Sequence, residues 1–77
     1  MKPSLGRIVL VPAAPTGNNG AGIASAIITR VWNDTMINVR VMTDGPDLPW
    51  RTSLSYTEDL DQYTGTDACS WTWPTRV

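Results

Sequence analysis

Six prolines and six glycines interrupt this 77-residue chain so often that no apolar pattern persists at the helical period. Between the interruptions lie short runs rich in β-branched residues, and such runs read as strands. Residues 6–11 form the first, stopped by Pro12. Its run Ile8-Val9-Leu10-Val11 is apolar on both faces and needs cover on both, from a core and from a loop or partner. Residues 12–22, with Pro12, Pro15, Gly17, Gly20 and Gly22, make a flexible loop too long for a hairpin turn. Residues 23–32 and 36–43 are the second and third strands, joined by Asn33-Asp34-Thr35, a connection of ordinary hairpin length. Asp44-Gly45, with Pro46 and Pro49 to stiffen it, turns the chain into a fourth strand over residues 50–56. An acidic, glycine-containing connection leads to a short last strand over residues 70–73, ended by Pro74. Five short strands with one long early loop predict an all-β fold, a small five-stranded SH3-like barrel, as a single domain over residues 1–77.

The hairpin of the second and third strands constrains function most. Pairing Trp32 with Met36 sets Arg30 opposite Asn38 and Ile28 opposite Arg40. On the other face Val31 meets Ile37, Thr29 meets Val39 and Ile27 meets Val41, which is the expected core face. The first face is mixed: an indole, two guanidinium groups, an amide, and apolar surface from Ile28 and Met42. That is more apolar surface than solvation calls for. On the fourth strand, alternation puts Trp50, Thr52, Leu54 and Tyr56 on one side and Arg51, Ser53 and Ser55 on the other.

A domain of this size buries only about 60% of its unfolded surface and wants a staple. Cys69 is the one cysteine, so a disulfide within the chain is excluded, and a lone thiol suits a reducing compartment. There is no histidine, and the carboxylates show no ligand spacing, so no metal or other cofactor is expected. Oligomerisation remains, and the two-sided first strand and half-apolar hairpin face make a homo-oligomer the expectation. The apolar run of residues 8–11 is shorter than the roughly 7–15 residues of a signal h-region. No run approaches the ~18 apolar residues of a membrane helix, which predicts a soluble cytosolic protein with no membrane partner.

Catalysis has little material. No imidazole is present as a base or to activate Cys69, and no helix follows the glycines of residues 17–22 to make a phosphate loop. The expectation is a binding protein, not an enzyme. A net charge of −1 argues against duplex nucleic acid. Yet residues 1–33 carry Lys2, Arg7 and Arg30 and no acid, while residues 58–67 carry Glu58, Asp59, Asp61 and Asp67 and no base. The first part can therefore offer a local anion site.

Four tryptophans and no phenylalanine mean that indoles supply part of the core. A small barrel has little interior, so some indoles stay at the surface, where they are stacking platforms for a flat ring such as a nucleobase. Trp32 and Trp50 are the candidates, and Trp71 and Trp73 are assigned to core or interface. Arg7, Arg30 and Arg40 are candidate anion contacts, since guanidinium forks suit phosphate. Asn38, Asp44, Thr52 and Ser53 can read a base edge or a ribose hydroxyl.

These residues coincide with a wider pattern: residues 2–9 as Lys-Pro-Ser-Leu-Gly-Arg-Ile-Val, then Val31-Trp32, Asn38-Val39, Thr43-Asp44-Gly45, Trp50 with Thr52-Ser53, and Trp71-Thr72-Trp73-Pro74. Over nearly its whole length the chain resembles a family of small proteins encoded by tailed phages and prophages. The family's histidines are replaced here by Leu10 and Thr72. In size, expected barrel fold and supply of arginine and tryptophan the chain is also similar to phage sponges that sequester cyclic nucleotide alarm signals, the anti-CBASS and anti-Thoeris proteins. The resemblance implies immune evasion in the cytoplasm of the infected bacterial host, by capture of a cyclic nucleotide without cleavage. The other reading is a phage structural or accessory protein whose barrel binds another protein.

Overall fold

A computed structural model describes residues 2–60 and 69–74. The strands are β1 (Ile8–Pro12), β2 (Ile23–Val31), β3 (Met36–Met42), β4 (Trp50–Tyr56) and β5 (Ser70–Trp71), with a 3-10 turn at Pro15–Gly17. They form one sheet in the order β1-β2-β3-β4-β5. The first four make an antiparallel meander. β5 pairs in parallel with β4, Tyr56 beside Trp71. Parallel pairing needs a connection of about a dozen residues or more, and the chain between Tyr56 and Ser70 provides it. Asp61, Asp67 and most of the expected acidic connection lie outside the described residues.

The sheet curls until its two edges meet. Leu10 and Thr72 exchange backbone hydrogen bonds of 2.9 and 3.0 Å, joining β1 to the end of β5. The all-β, five-stranded SH3-like barrel expected from the sequence is the observed fold, nearly closed. Among the described residues no helix is long and apolar enough to cross a membrane.

Closing so small a sheet demands sharp coiling, which two bulges supply. The first lies between Ile28 and Arg30 on β2. Arg30–Asn38 and Val31–Ile37 pair as the sequence predicts, but beyond Thr29 the register moves by one: Ile28 pairs with Val39, Ile27 with Arg40 and Ala26 with Val41. A one-residue slip turns every following side chain to the other face. The expected core role of Ile27 and Thr29 is therefore corrected, and Val31, though paired with Ile37 as expected, is 36% exposed and outside the core. Ile28, Ala26 and Ala24 face inward instead and are buried, while Ile27 is turned outward beside Arg40.

The second bulge is on β4. Ile37 pairs with Leu54 but Val39 with Arg51, so Thr52 and Ser53 together face Asn38. Ser53 takes a left-handed conformation, φ 60°. The alternation expected along β4 breaks here. Leu54 is in the core, whereas Trp50 is outside and 50% exposed, opposite Arg40.

The core comprises Val9 and Val11 of β1, the inner residues of β2, Ile37, Val39 and Val41 of β3, Leu54 of β4, and Trp71 of β5. Trp71 is its largest member, as the absence of phenylalanine required. Its Nε1 donates to the Thr35 carbonyl at 2.9 Å, so the indole is buried without an orphan donor. The expectation of cover on both faces of β1 is half met: Val9 and Val11 are fully buried, Leu10 is half-buried and Ile8 is 46% exposed.

The loop between β1 and β2 is tied down, contrary to its flexible composition. Asn18 is buried; its Nδ2 donates to the carbonyls of Ala21 and Ile23, and its Oδ1 accepts from the Asp44 amide at 2.6 Å. Asn19 Nδ2 donates to the Asp44 carboxylate at 3.2 Å. A Cβ on Gly45 would stand 2.7 Å from the Gly17 carbonyl oxygen, so the two loops approach as closely as only glycine permits.

Candidate binding face

The outer row of β3 is Met36, Asn38, Arg40 and Met42, every second residue of the strand. On the β2 side Arg30 stands opposite Asn38, Trp32 donates its backbone N–H to Met36, and Ile27 stands opposite Arg40. On the β4 side Thr52 and Ser53 flank Asn38, and Trp50 stands opposite Arg40. The structure thus gathers Arg30, Trp32, Asn38, Arg40, Trp50, Thr52 and Ser53 on one face. Arg7 and Asp44 are not part of it. Arg7 precedes β1, its carbonyl accepting from the Ile28 amide, and Asp44 belongs to the loop lock around Asn18.

Asn38 is the node of this face. It is only 6% exposed although it stands on the outer side of the sheet. Its Oδ1 accepts from Trp32 Nε1 at 2.8 Å, Thr52 Oγ1 at 2.9 Å and the Ser53 amide at 2.8 Å. The bulge of β4 and the indole that follows β2 are therefore fastened through a single oxygen. The Asn38 Oδ1, expected to read a base edge, is engaged within the fold, and the face still offers π surfaces, guanidinium groups and the exposed hydroxyls of Thr52 and Ser53.

Those groups are held in place. The Arg30 guanidinium lies over the Trp32 ring, 4.1 Å from its centroid, within cation–π distance. Trp32 is 49% exposed, its edge pinned by Asn38. Arg40 Nη1 donates to the Leu48 carbonyl at 3.2 Å. Among the described residues neither Arg30 nor Arg40 takes part in an ion pair; the pair seen there is Lys2–Asp34. The face therefore keeps positive charge on a chain that is acidic overall.

The platform continues past the predicted residues. Ile8 stands opposite Ile27 in the row that runs through Arg40 to Trp50, and half-exposed Met42 stands opposite Ser25 in the next. Sequence reasoning missed Ile8 and Ile27 because their placement depends on the β2 bulge. A separate cleft of about 480 Å³ lies between the two locked loops, with Pro12, Ala13, Leu48 and Pro49 as apolar wall and Asp47 and Arg51 at its polar side.

Fold and face together define the class: a small SH3-like β-barrel with an exposed aromatic and guanidinium platform. No family model, no curated protein and no solved structure matches the chain.

Proposed function

We propose that this chain captures a cyclic nucleotide or oligonucleotide on the outer face of β2, β3 and β4 and holds it without chemistry, as a phage immune-evasion sponge acting in the infected host's cytoplasm. The observation that carries the reading is the placement of two half-exposed indoles on one face, Trp32 under Arg30 and Trp50 opposite Arg40. Indole faces take bases in a sequence-tolerant way, and guanidinium forks take phosphate oxygens. The likeness to small phage proteins supplies the biological setting.

A sponge must outcompete a receptor, so nanomolar affinity, roughly 12 kcal/mol, is required. Stacking at about 1–3 kcal/mol per base does not reach it alone. Arginine–phosphate bonds and burial beneath a second copy of the chain supply the remainder, which is why a homo-oligomer belongs to the proposal.

A thermal-shift screen over cyclic di- and trinucleotides and cyclic ADP-ribose isomers tests it. A ligand at 1,000 times its Kd adds about 4 kcal/mol to the stability of the fold, and heat denaturation should return that ligand intact. An unmoved melting curve with every nucleotide rejects capture, and a linearised product rejects the sponge. The alternative, a structural or accessory protein that binds another protein, is favoured by one feature. The apolar row of Ile8 and Ile27, with Met42 beside it, adjoins Arg40 and Trp50, a mixture of aromatic, Met and Arg typical of protein interfaces.

A further inference from the structure

Asn19 belongs to the lock between the β1–β2 loop and the β3–β4 loop, and its chemistry sets it apart from the other asparagines. Asparagine is thermolabile: its amide is lost when the backbone nitrogen of the next residue attacks its Cγ. Of Asn18, Asn19, Asn33 and Asn38, Asn19 alone precedes a glycine, Gly20, which has no side chain to shield that nitrogen. Asn18 and Asn38 are buried, and Asn38 is followed by β-branched Val39. Asn33 has its Oδ1 held by three donors of its own turn. Asn19 and Gly20 are both exposed. We infer that Asn19 is a modification site, whose amide converts spontaneously to a carboxylate and whose conversion releases the lock between the two loops.

The step needs only the chain and water. The Gly20 nitrogen bonds to Asn19 Cγ, the bond from Cγ to the amide nitrogen breaks, and the proton lost by Gly20 is balanced by the one gained by the departing ammonia. The product is a succinimide ring. Water opens it at either carbonyl, giving aspartate or isoaspartate. The folded loop restrains both reacting groups. The Gly20 amide donates to the Pro15 carbonyl at 2.8 Å, and Asn19 Nδ2 donates to the Asp44 carboxylate at 3.2 Å. Asn19 stands at φ 50° and Gly20 at φ 88°, so the backbone that carries them is held at positive φ. Attack therefore proceeds from a locally opened loop in which both hydrogen bonds are broken, and its rate reports that opening.

Conversion then works against reclosure. An amide donor becomes a carboxylate facing the Asp44 carboxylate, so an attraction across the two loops becomes a like-charge repulsion. Isoaspartate also lengthens the main chain by a carbon, which displaces Gly20 from Pro15. Asp44 keeps the bond from its amide to Asn18 Oδ1, at 2.6 Å, and the loops lose their second tie. The close approach of Gly45 to the Gly17 carbonyl, and the cleft of about 480 Å³ between the loops, depend on that approach. Water does not return the ammonia, so each opening that ends in reaction is permanent.

The experiment incubates the full chain in warm, mildly alkaline buffer, with and without guanidinium chloride. Conversion at each asparagine is followed by peptide mass spectrometry with electron-transfer fragmentation, which separates aspartate from isoaspartate. Asn19 should convert first in both, at least about tenfold more slowly without denaturant, since protection scales with the free energy of opening. Asp44→Ala removes one tie and no backbone bond, and should speed conversion in the folded chain about two- to fivefold, the loss of one such hydrogen bond. Asn19→Asp, which is the aspartate product itself, should melt about 4–8 °C below the parent, and Asp44→Asn in the same chain should restore most of that loss. Equal rates with and without denaturant, another asparagine converting first in the folded chain, or an Asn19→Asp chain that melts with the parent would overturn the inference. The rate comparison uses the parent chain alone, so a variant that fails to fold does not stop the test. No nucleotide is present, so the outcome is separate from that of the capture reading.

Discussion

Replacing Asn38 by alanine removes one oxygen that three donors share, and the consequence can be worked from the structure. The lost bonds are those from Trp32 Nε1, Thr52 Oγ1 and the Ser53 amide, all between 2.8 and 2.9 Å. A typical intramolecular hydrogen bond contributes about 1 kcal/mol net, so the set is worth about 3 kcal/mol. The Ser53 amide has a further reason to matter, because it belongs to a residue held at positive φ, a conformation that persists only while its surroundings enforce it. For a domain this size each 1 kcal/mol lowers Tm by roughly 4–8 °C, so Asn38→Ala should melt about 12–24 °C below the parent. Urea denaturation followed by near-UV circular dichroism measures the same loss independently. A double-mutant cycle isolates the cause. Trp32→Phe deletes the Nε1 donor and keeps a ring; it should cost about 0.5–1.5 kcal/mol in the parent and close to nothing beside Asn38→Ala. A loss below 1 kcal/mol for Asn38→Ala, or an equal cost of Trp32→Phe in both backgrounds, would refute the shared-acceptor account.

The loop contact gives a second contrast: Gly45→Ala should destabilise by about 1–3 kcal/mol, since its Cβ meets the Gly17 carbonyl oxygen. Gly17→Ala, with nothing within 4 Å, should stay within about 0.5 kcal/mol, and equal melting temperatures for the two would show that the loops are not locked. Trp71→Phe removes the bond to Thr35 and part of the largest core side chain. Thermal denaturation should show a loss of about 2–3 kcal/mol, and a neutral result would place this indole outside the core. Light scattering at high micromolar concentration should give an even multiple of 8.4 kDa that Met42→Glu dissociates, and a stable monomer of the parent chain would remove the second copy from the capture proposal.

The strand plan was legible because proline and glycine act locally. Pro12 and Pro49 bound strands whatever the rest of the chain does, and the Asn33-Asp34-Thr35 turn sets the pairing of Arg30 with Asn38 within its own hairpin. Alternation near that turn also placed Arg30, Trp32 and Arg40 on an outer face. The bulges were not legible. Thr29 and Ser53 are ordinary strand residues, and nothing in their neighbourhoods marks them. The extra residues exist because five strands must bend far enough for Leu10 to reach Thr72, a demand that appears only when the sheet closes. From those two positions follow the inward turn of Ile28, the outward turn of Trp50 and the burial of Asn38. The split among the indoles was legible: Trp32 and Trp50 were expected at the surface and Trp71 in the core or an interface, as they are found. Trp32 ends the strand run of residues 23–32 and is half exposed, while Trp71, between Ser70 and Thr72, is the centre of the core. Local pattern determines where a strand can form and which residues alternate along it. Which face looks inward is decided by long-range pairing between β1 and the end of β5, because burial belongs to the closed barrel and not to any one strand.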